Sequence, residues 1–307
     1  MKHLFVINPA AGQKDHTKEI TSQIETLLAE KDYEIYVTKA TFDGMNFVKK
    51  YCMEHSQEEE VRVYSCGGDG TLNEVVNGAY GFPNVSVACY PSGSGNDFIK
   101  IFGPSEDFLK MSQLIKGRTM DIDLIRFGNR FAINILNMGF DADVVERMMK
   151  YKRRPLMTGK GAYILGVLVT FLNKMGHHFV VTVDDHLIYD GKGLLCAAAN
   201  SICYGGGFYC APLAKINDGI IDVCFVKKVS RFSFIRMIGT YKAGKHLETP
   251  WVAKKIVYAK GKKVTIEIDR PINFSIDGEM GKASSITLEI VPNAIKFVIP
   301  QSVSIPE

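Results

Sequence analysis

The chain has 307 residues, of which 46% are hydrophobic and 23% charged, with 37 basic against 33 acidic residues and a net charge of +4. This is an ordinary globular composition, long for one compact domain and comfortable for two, with enough apolar material for a real core. So balanced a charge gives no ground for a nucleic-acid partner and allows only mild attraction to anionic surfaces.

The first part of the chain alternates strand and helix. His3–Asn8 is a short apolar run ended by Asn8-Pro9-Ala10-Ala11-Gly12. Asp15–Lys31 has helical spacing, with Ile20, Ile24, Leu27 and Leu28 on one face. Glu34–Lys39 alternates as a strand, and Asp43–His55 is helical. Val61–Cys66 is β-rich and runs into Gly67-Gly68-Asp69-Gly70-Thr71-Leu72-Asn73-Glu74; Thr71–Tyr80 is helical, and Val85–Tyr90 is a buried strand ending in Pro91-Ser92-Gly93-Ser94-Gly95-Asn96-Asp97. Strands alternating with helices imply βαβ units and a parallel sheet.

Near residue 120 the pattern changes. Asp121–Phe127 and Arg130–Asn137 are strand-like runs separated by Gly-Asn, a hairpin signal. Helical stretches follow at about 141–151 and 158–175, and another at Phe232–Ala243. Short strands with frequent turns elsewhere suggest an antiparallel sandwich or barrel. The expected division is residues 1–125 as an α/β domain and 126–296 as a β-rich domain, with the tail 297–307 packing back on the first.

Cys52, Cys66, Cys89, Cys196, Cys203, Cys210 and Cys224 are odd in number, several sit in apolar runs, and none has zinc-finger spacing. They are expected as buried free thiols in a reducing compartment. The opening Met1–Pro9 is too soon interrupted for a signal peptide, and the longest apolar stretch, Ala162–Leu172, has eleven residues against the roughly 20 that span a bilayer. A cytoplasmic protein without a transmembrane span is expected.

The three glycine turns carry the chemistry. Glycine lets a backbone turn tightly and approach a ligand closely, and the N–H groups opening a helix attract an anion. Asp69 would repel phosphate directly, so it suits a magnesium ion or a lysine; the alternative is a plain βα turn with Asp69 as a helix cap. Three such turns after three strands gather at the carboxyl edge of a parallel sheet, where ligands bind in open α/β folds.

In this order and spacing, Asn8–Gly12, Gly67–Glu74 and Pro91–Asp97 resemble the diacylglycerol kinase catalytic domain, most closely in bacterial lipid kinases, with sphingosine and ceramide kinases as relatives. The Gly67–Thr71 core is shared with NAD kinases, while the continuation Leu72-Asn73-Glu74-Val75-Val76-Asn77-Gly78 resembles the lipid-kinase branch. The resemblance covers nearly the whole chain. It implies a Rossmann-like α/β domain with a mostly parallel sheet, a mainly antiparallel β-sandwich domain, and an ATP site and lipid cleft between them. It places Asn8, Pro9, Ala10, Ala11, Gly12, Thr41, Gly67, Gly68, Asp69, Gly70, Thr71, Leu72, Asn73, Glu74 and Ser94 at ATP-contacting positions. The family often has threonine where this chain has Ser94; the hydroxyl is kept.

The resemblance also makes Asp69, Asp97 and Asp121 an acidic network organising magnesium, with Asp123 the alternative third member. It makes Glu279 of Asp277-Gly278-Glu279, otherwise a hairpin turn, the general base. Lys215, Asp218 and Ile220, otherwise a plain turn, correspond to a structural Mg2+ site. The implied activity is transfer of the ATP γ-phosphate to a lipid hydroxyl at a membrane surface, on diacylglycerol or a related glycerolipid. A monoacylglycerol, a sphingoid base and phosphatidylglycerol present the same hydroxyl.

Arg147–Pro155, followed by Ala162–Leu172, offers cations beside an apolar helix, which would let the protein dock peripherally on the inner face of a membrane; a solvated helix face and a core segment are the plainer alternative. His177 and His178 have no metal-ligand partners at sensible spacing. An edge strand of the second domain is available to pair across a homodimer. Two other readings compete: an NAD kinase, and a nucleotide-binding regulator without catalysis, whose mark would be a broken motif, and no motif is broken.

Overall fold

In the computed structural model, residues 1–152, 159–173 and 176–304 are described. Two compact units emerge: 1–124 with 216–219 and the tail from 291, and 125–215 with 220–290.

The first unit opens with β1 (Lys2–Ile7), α1 (Thr17–Leu27), β2 (Tyr33–Val37), α2 (Asp43–His55), β3 (Val61–Gly67), α3 (Asp69–Ala79) and β4 (Val85–Pro91). After short 3-10 turns come α4 (Met111–Ile115) and β5 (Arg118–Phe127), whose last residues belong to the second unit. β3 and β4 are buried at every position, the mark of a parallel strand covered on both faces. Strand β1 pairs in parallel with both β2 and β3, and β3 with β4.

The second unit contains β6 (Arg130–Ala132), β7 (Ile135–Gly139), α5 (Phe140–Lys152), α6 (Gly159–Leu172), β8 (His177–Val183), β9 (His186–Ala199) and β10 (Ile221–Lys227). These are followed by α7 (Arg231–Lys242), α8 (Pro250–Ala253), β11 (Ile256–Gly261), β12 (Lys263–Ile276) and β13 (Glu279–Ile299). β9 and β12 are long strands that each take part in two layers. Their first halves pair with β8, and their second halves with β7, all antiparallel. The β12 register slips between Glu267 and Ile272, which bends the strand from one layer into the other. The result is the expected mainly antiparallel β-sandwich, filled by Phe179, Phe225, Ile266 and Leu288. The end of β13 returns to the first unit, where Lys296–Val298 runs parallel to Ser86–Ala88 of β4.

One expected strand divides. Arg130–Asn137 is not continuous: β6 stops at Ala132 and β7 begins at Ile135. The backbone N–H groups of Ile133, Asn134 and Ile135 donate to the Asp277 carboxylate, and that contact replaces ladder pairing.

All seven cysteines are buried free thiols. No described helix is long and apolar enough to cross a membrane. Of the basic stretch weighed for membrane docking, Arg153, Arg154 and Pro155 lie outside the described residues.

The sheet of the first unit holds a buried histidine. His3 Nδ1 lies 2.8 Å from the Tyr64 hydroxyl, and Tyr64 stacks on Phe5 with centroids 4.2 Å apart. Burial, and then the nearby Arg62 charge, push His3 down to about 4 from its ordinary 6.5. The unfolded chain therefore binds a proton that the native chain refuses between those values. His3 costs stability as pH falls from 6.5 to 4, at most about 3 kcal/mol. In a His3→Gln variant, the acid-side loss of melting temperature over this window should shrink; an unchanged profile would refute the assignment.

Candidate active site

The three glycine turns lie at the carboxyl ends of β1, β3 and β4 and are packed against one another. Gly12 has φ +77°, and a Cβ there would meet the Ser92 carbonyl oxygen at 2.4 Å. A Cβ on Gly93 would meet the Gly68 Cα at 2.3 Å. Only glycine permits this proximity at either position. Backbone bonds tie the second turn to the third: Ser92 and Gly93 N–H both donate to the Gly67 carbonyl, at 3.0 and 3.1 Å. Asn8 ties the first to the second, its Nδ2 donating to Thr71 Oγ1 at 3.0 Å while its Oδ1 accepts from Ala10 N–H at 3.0 Å. Pro9, Ala10 and Ala11 follow in that loop.

Helix α3 starts at this junction with no side chain capping it, and a Cβ on Gly70 would meet open space. Ser94 is exposed on the third turn. Thr41 is exposed too, on a turn held to α3 through Glu74, whose Oε1 accepts from Phe42 N–H at 3.0 Å. Leu72 and Asn73, expected among the nucleotide contacts, turn their side chains inward. Leu72 is core, and Asn73 Oδ1 accepts from Asn77. The apolar face of α3 requires this of Leu72, whose N–H is also taken, by the Gly68 carbonyl at 3.0 Å.

Asp69 and Asp97 are brought together. Asp69 Oδ1 accepts from Asp97 N–H at 2.8 Å, and the Asp97 carboxylate pairs with Lys100. Lys100, three residues beyond Asp97, was not singled out from the sequence. Asp121 is not brought to this pair. It is exposed at a cavity of about 360 Å3 lined by Tyr80–Pro83, Val85 and Val291–Lys296, beside the beginning of β4 rather than its end. A seven-residue strand separates the two places by roughly 20 Å. Asp123 is buried, its carboxylate accepting from Gly219 N–H at 2.6 Å and Asn293 N–H at 2.8 Å. Its partner Gly219 follows Asp218 in the turn expected to hold metal. By their contacts Lys215 and Ile220 belong to the second unit and Asp218 to the first. Among the described residues no three His, Cys, Asp or Glu side chains cluster as a metal site.

In the second unit, Asp277 and Gly278 both have positive φ, as a type I′ hairpin between β12 and β13 requires. Asp277 Oδ2 accepts from Ile133 N–H at 2.8 Å, and Oδ1 from Asn134 and Ile135 N–H at 3.1 and 2.9 Å. Glu279 is gripped by Arg130 in a two-pronged pair, Nη1–Oε2 2.6 Å and Nη2–Oε1 2.9 Å. A guanidinium fork fixes both position and orientation of a carboxylate.

The same unit holds a cavity of about 480 Å3 walled by side chains such as Phe140, Val144, Phe171 and Phe234. Its carboxyl group is Asp141, which accepts a hydrogen bond from the Tyr204 hydroxyl. Apolar walls push Asp141 up to about 7, with Asp143 adding to the rise. The native chain thus holds this proton between pH 3.8 and 7, where the unfolded chain has lost it. Ionising Asp141 costs stability as pH rises through that window, opposite in sign to His3. We expect Asp141→Asn to be more stable than the parent at pH 8, by about a few kcal/mol and with a correspondingly higher melting temperature, and to approach it near pH 4. Equal melting at pH 8 would refute this.

Comparison with known proteins follows the same division. Residues 2–127 match the model of the diacylglycerol kinase catalytic domain, and residues 134–299 that of the YegS C-terminal NAD kinase beta sandwich-like domain. The chain belongs to the diacylglycerol kinase catalytic-domain family, in the form that carries a YegS-type second domain. A Staphylococcus aureus protein named "Putative lipid kinase" is 26% identical over 257 residues, covering 81% of this chain and 82% of that one. A Bacillus anthracis structure titled "a putative diacylglycerol kinase" shares the fold, with TM-score 0.73, 23% identity, and coverage of 99% and 97%. An Archaeoglobus fulgidus NAD kinase in complex with ATP shares it more distantly, with TM-score 0.50, 11% identity, and coverage of 97% and 94%. The α/β-plus-sandwich expectation is therefore borne out, and kinase activity follows in general terms from family membership.

Proposed function

We propose that this protein transfers the γ-phosphoryl group of ATP, with magnesium, to the hydroxyl of a lipid, diacylglycerol or a related glycerolipid. The observation that carries the lipid acceptor is the hydrocarbon-walled cavity of the second unit. Its volume and lining suit an acyl chain. A charged dinucleotide such as NAD would lose its hydration there with few polar groups to replace it.

The first unit is the nucleotide holder in this reading. Its three turns leave no room for a Cβ at Gly12 or Gly93, and α3 begins uncapped beside open space, as a phosphate cradle requires. Asp69 and Asp97 offer the hard oxygen atoms that magnesium prefers, and Lys100 fixes Asp97. The nucleotide and its metal supply the transferable phosphoryl group and neutralise its developing charge. Glu279 accepts the proton of the acceptor hydroxyl, and Arg130 holds its carboxylate in place for that step. Asp218, with the carbonyls of Lys215 and Ile220, is assigned a structural magnesium; Asp123 stands beside that turn. The first domain is taken as 1–125 with the tail from 297, and the second as 126–296. The protein works at the cytoplasmic face of a membrane, with an edge strand available for a homodimer.

The test is incubation of the purified protein with ATP and magnesium against a panel of dispersed lipids and NAD, with products identified by mass. A phosphorylated glycerolipid is expected. Phosphorylated NAD with every lipid untouched would overturn the proposal.

A further inference from the structure

One face of the second unit carries a strongly biased charge and large apolar side chains in solvent. From Lys227 to Lys255 there are eight Lys or Arg residues and one acid, Glu248. The whole chain has a net charge of only +4, so the rest of it is net negative. On this face Phe232 is 76% exposed, Leu172 64% and Ile235 62%. A soluble surface scatters single apolar residues; aromatic and aliphatic groups gathered among cations mark a contact.

The gathering has structural causes. α7 turns Phe234, Met237 and Tyr241 into the core, which sends Phe232, Ile235 and Arg236 outward on the opposite side. Arg231, at the start of α7, donates to the carbonyls of Phe171, Leu172 and Asn173 at the end of α6. That bond satisfies the α6 terminus and sets Leu172 beside the exposed apolar side of α7. A groove of about 470 Å3 follows, lined by Phe232, Arg236, Trp251, Lys254 and Lys255, with the Arg236 guanidinium 4.8 Å from the Trp251 ring. Ile235 also lines the apolar cavity, so this surface continues to its wall.

We propose that the α7–α8 face is a docking surface for an anionic lipid bilayer. Leu172, Phe232 and Ile235 enter the acyl boundary, while Arg236, Lys254 and Lys255 meet headgroup phosphates. Cations framing an apolar wedge complement a negatively charged leaflet in both charge and depth. The proposal deepens the membrane-surface reading given above, and flotation, the measurement that decides it, involves no turnover.

The full-length protein is floated, without ATP, on phosphatidylcholine vesicles with and without phosphatidylglycerol. Binding should be at least about tenfold tighter to the anionic vesicles and should weaken with salt. Leu172→Ser with Phe232→Ser should lower binding by about tenfold or more. Arg236→Gln with Lys254→Gln and Lys255→Gln should make the two vesicle types equivalent. Neither Leu172 nor Phe232 lines the cavity, so the first variant should phosphorylate detergent-dispersed lipid at the parental rate. Unchanged flotation of both variants overturns the proposal. So does a parental dimer that the Leu172→Ser/Phe232→Ser variant splits without altering flotation, since the face would then join two copies of the chain. If no dispersed lipid is phosphorylated while flotation follows the stated pattern, the catalytic reading falls and the docking surface stands.

Discussion

Glu279→Gln should lower the rate of phosphoryl transfer by about 10²- to 10⁴-fold and leave the unfolding temperature close to the parent's. The amide has nearly the same shape but cannot take the acceptor's proton. Little stability should be lost, because the Arg130–Glu279 pair is partly open to solvent on both sides, and such pairs contribute modestly. Arg130→Ala is the companion. It removes the fork but keeps the base, so it should reduce kcat by about 10- to 100-fold through misplacement of the carboxylate. Arg130→Lys should recover part of that loss, because one ammonium can hold one oxygen but not both. A purified Glu279→Gln protein that turns over at the parental rate would remove Glu279 as the base. A Glu279→Gln protein that melts far below the parent would mean the residue is structural.

Arg130 illustrates what the sequence could not reveal. It lies 149 positions from Glu279, and the two are joined only when β6 is laid beside the turn after β12. No local pattern encodes that pairing. By contrast, the βαβ order of the first unit was legible because each parallel strand is buried on both faces and reads as an apolar run, as in Val85–Tyr90. α2 was legible to the residue, Asp43–His55, because its apolar spacing stops where its helix stops. The contact among the glycine turns could be anticipated from their common position after strands. Asp121 could not be placed: Asp121 and Asp123 sit on one strand with similar neighbours in sequence, and only Gly219 and Asn293, brought in from distant segments, show which of them is bonded to the turn. The apolar cavity was hidden for a similar reason. α5, α6 and α7 contribute its walls, and each separately resembles a helix packing into a core.

Asp277→Ala should cost about 4 kcal/mol of stability, the largest loss we expect from a single side chain here. The carboxylate accepts three backbone N–H groups, those of Ile133, Asn134 and Ile135, and all three residues are buried. Alanine leaves those donors facing an apolar interior, and unmet buried donors cost more than the bonds themselves contribute. The backbone adds to the loss, because residue 277 has φ +47°, a conformation that aspartate and asparagine tolerate better than alanine. Asp277→Asn separates the two effects. It keeps the tolerated conformation and one acceptor oxygen, but sets an amide donor against the N–H of Ile133, so it should lose about half as much. Glu279 sits two residues further on, so both variants should also lower kcat by loosening the hairpin that carries it. Urea denaturation of the three proteins decides the matter: an alanine variant within about 1 kcal/mol of the parent would show that the break between β6 and β7 does not depend on this carboxylate.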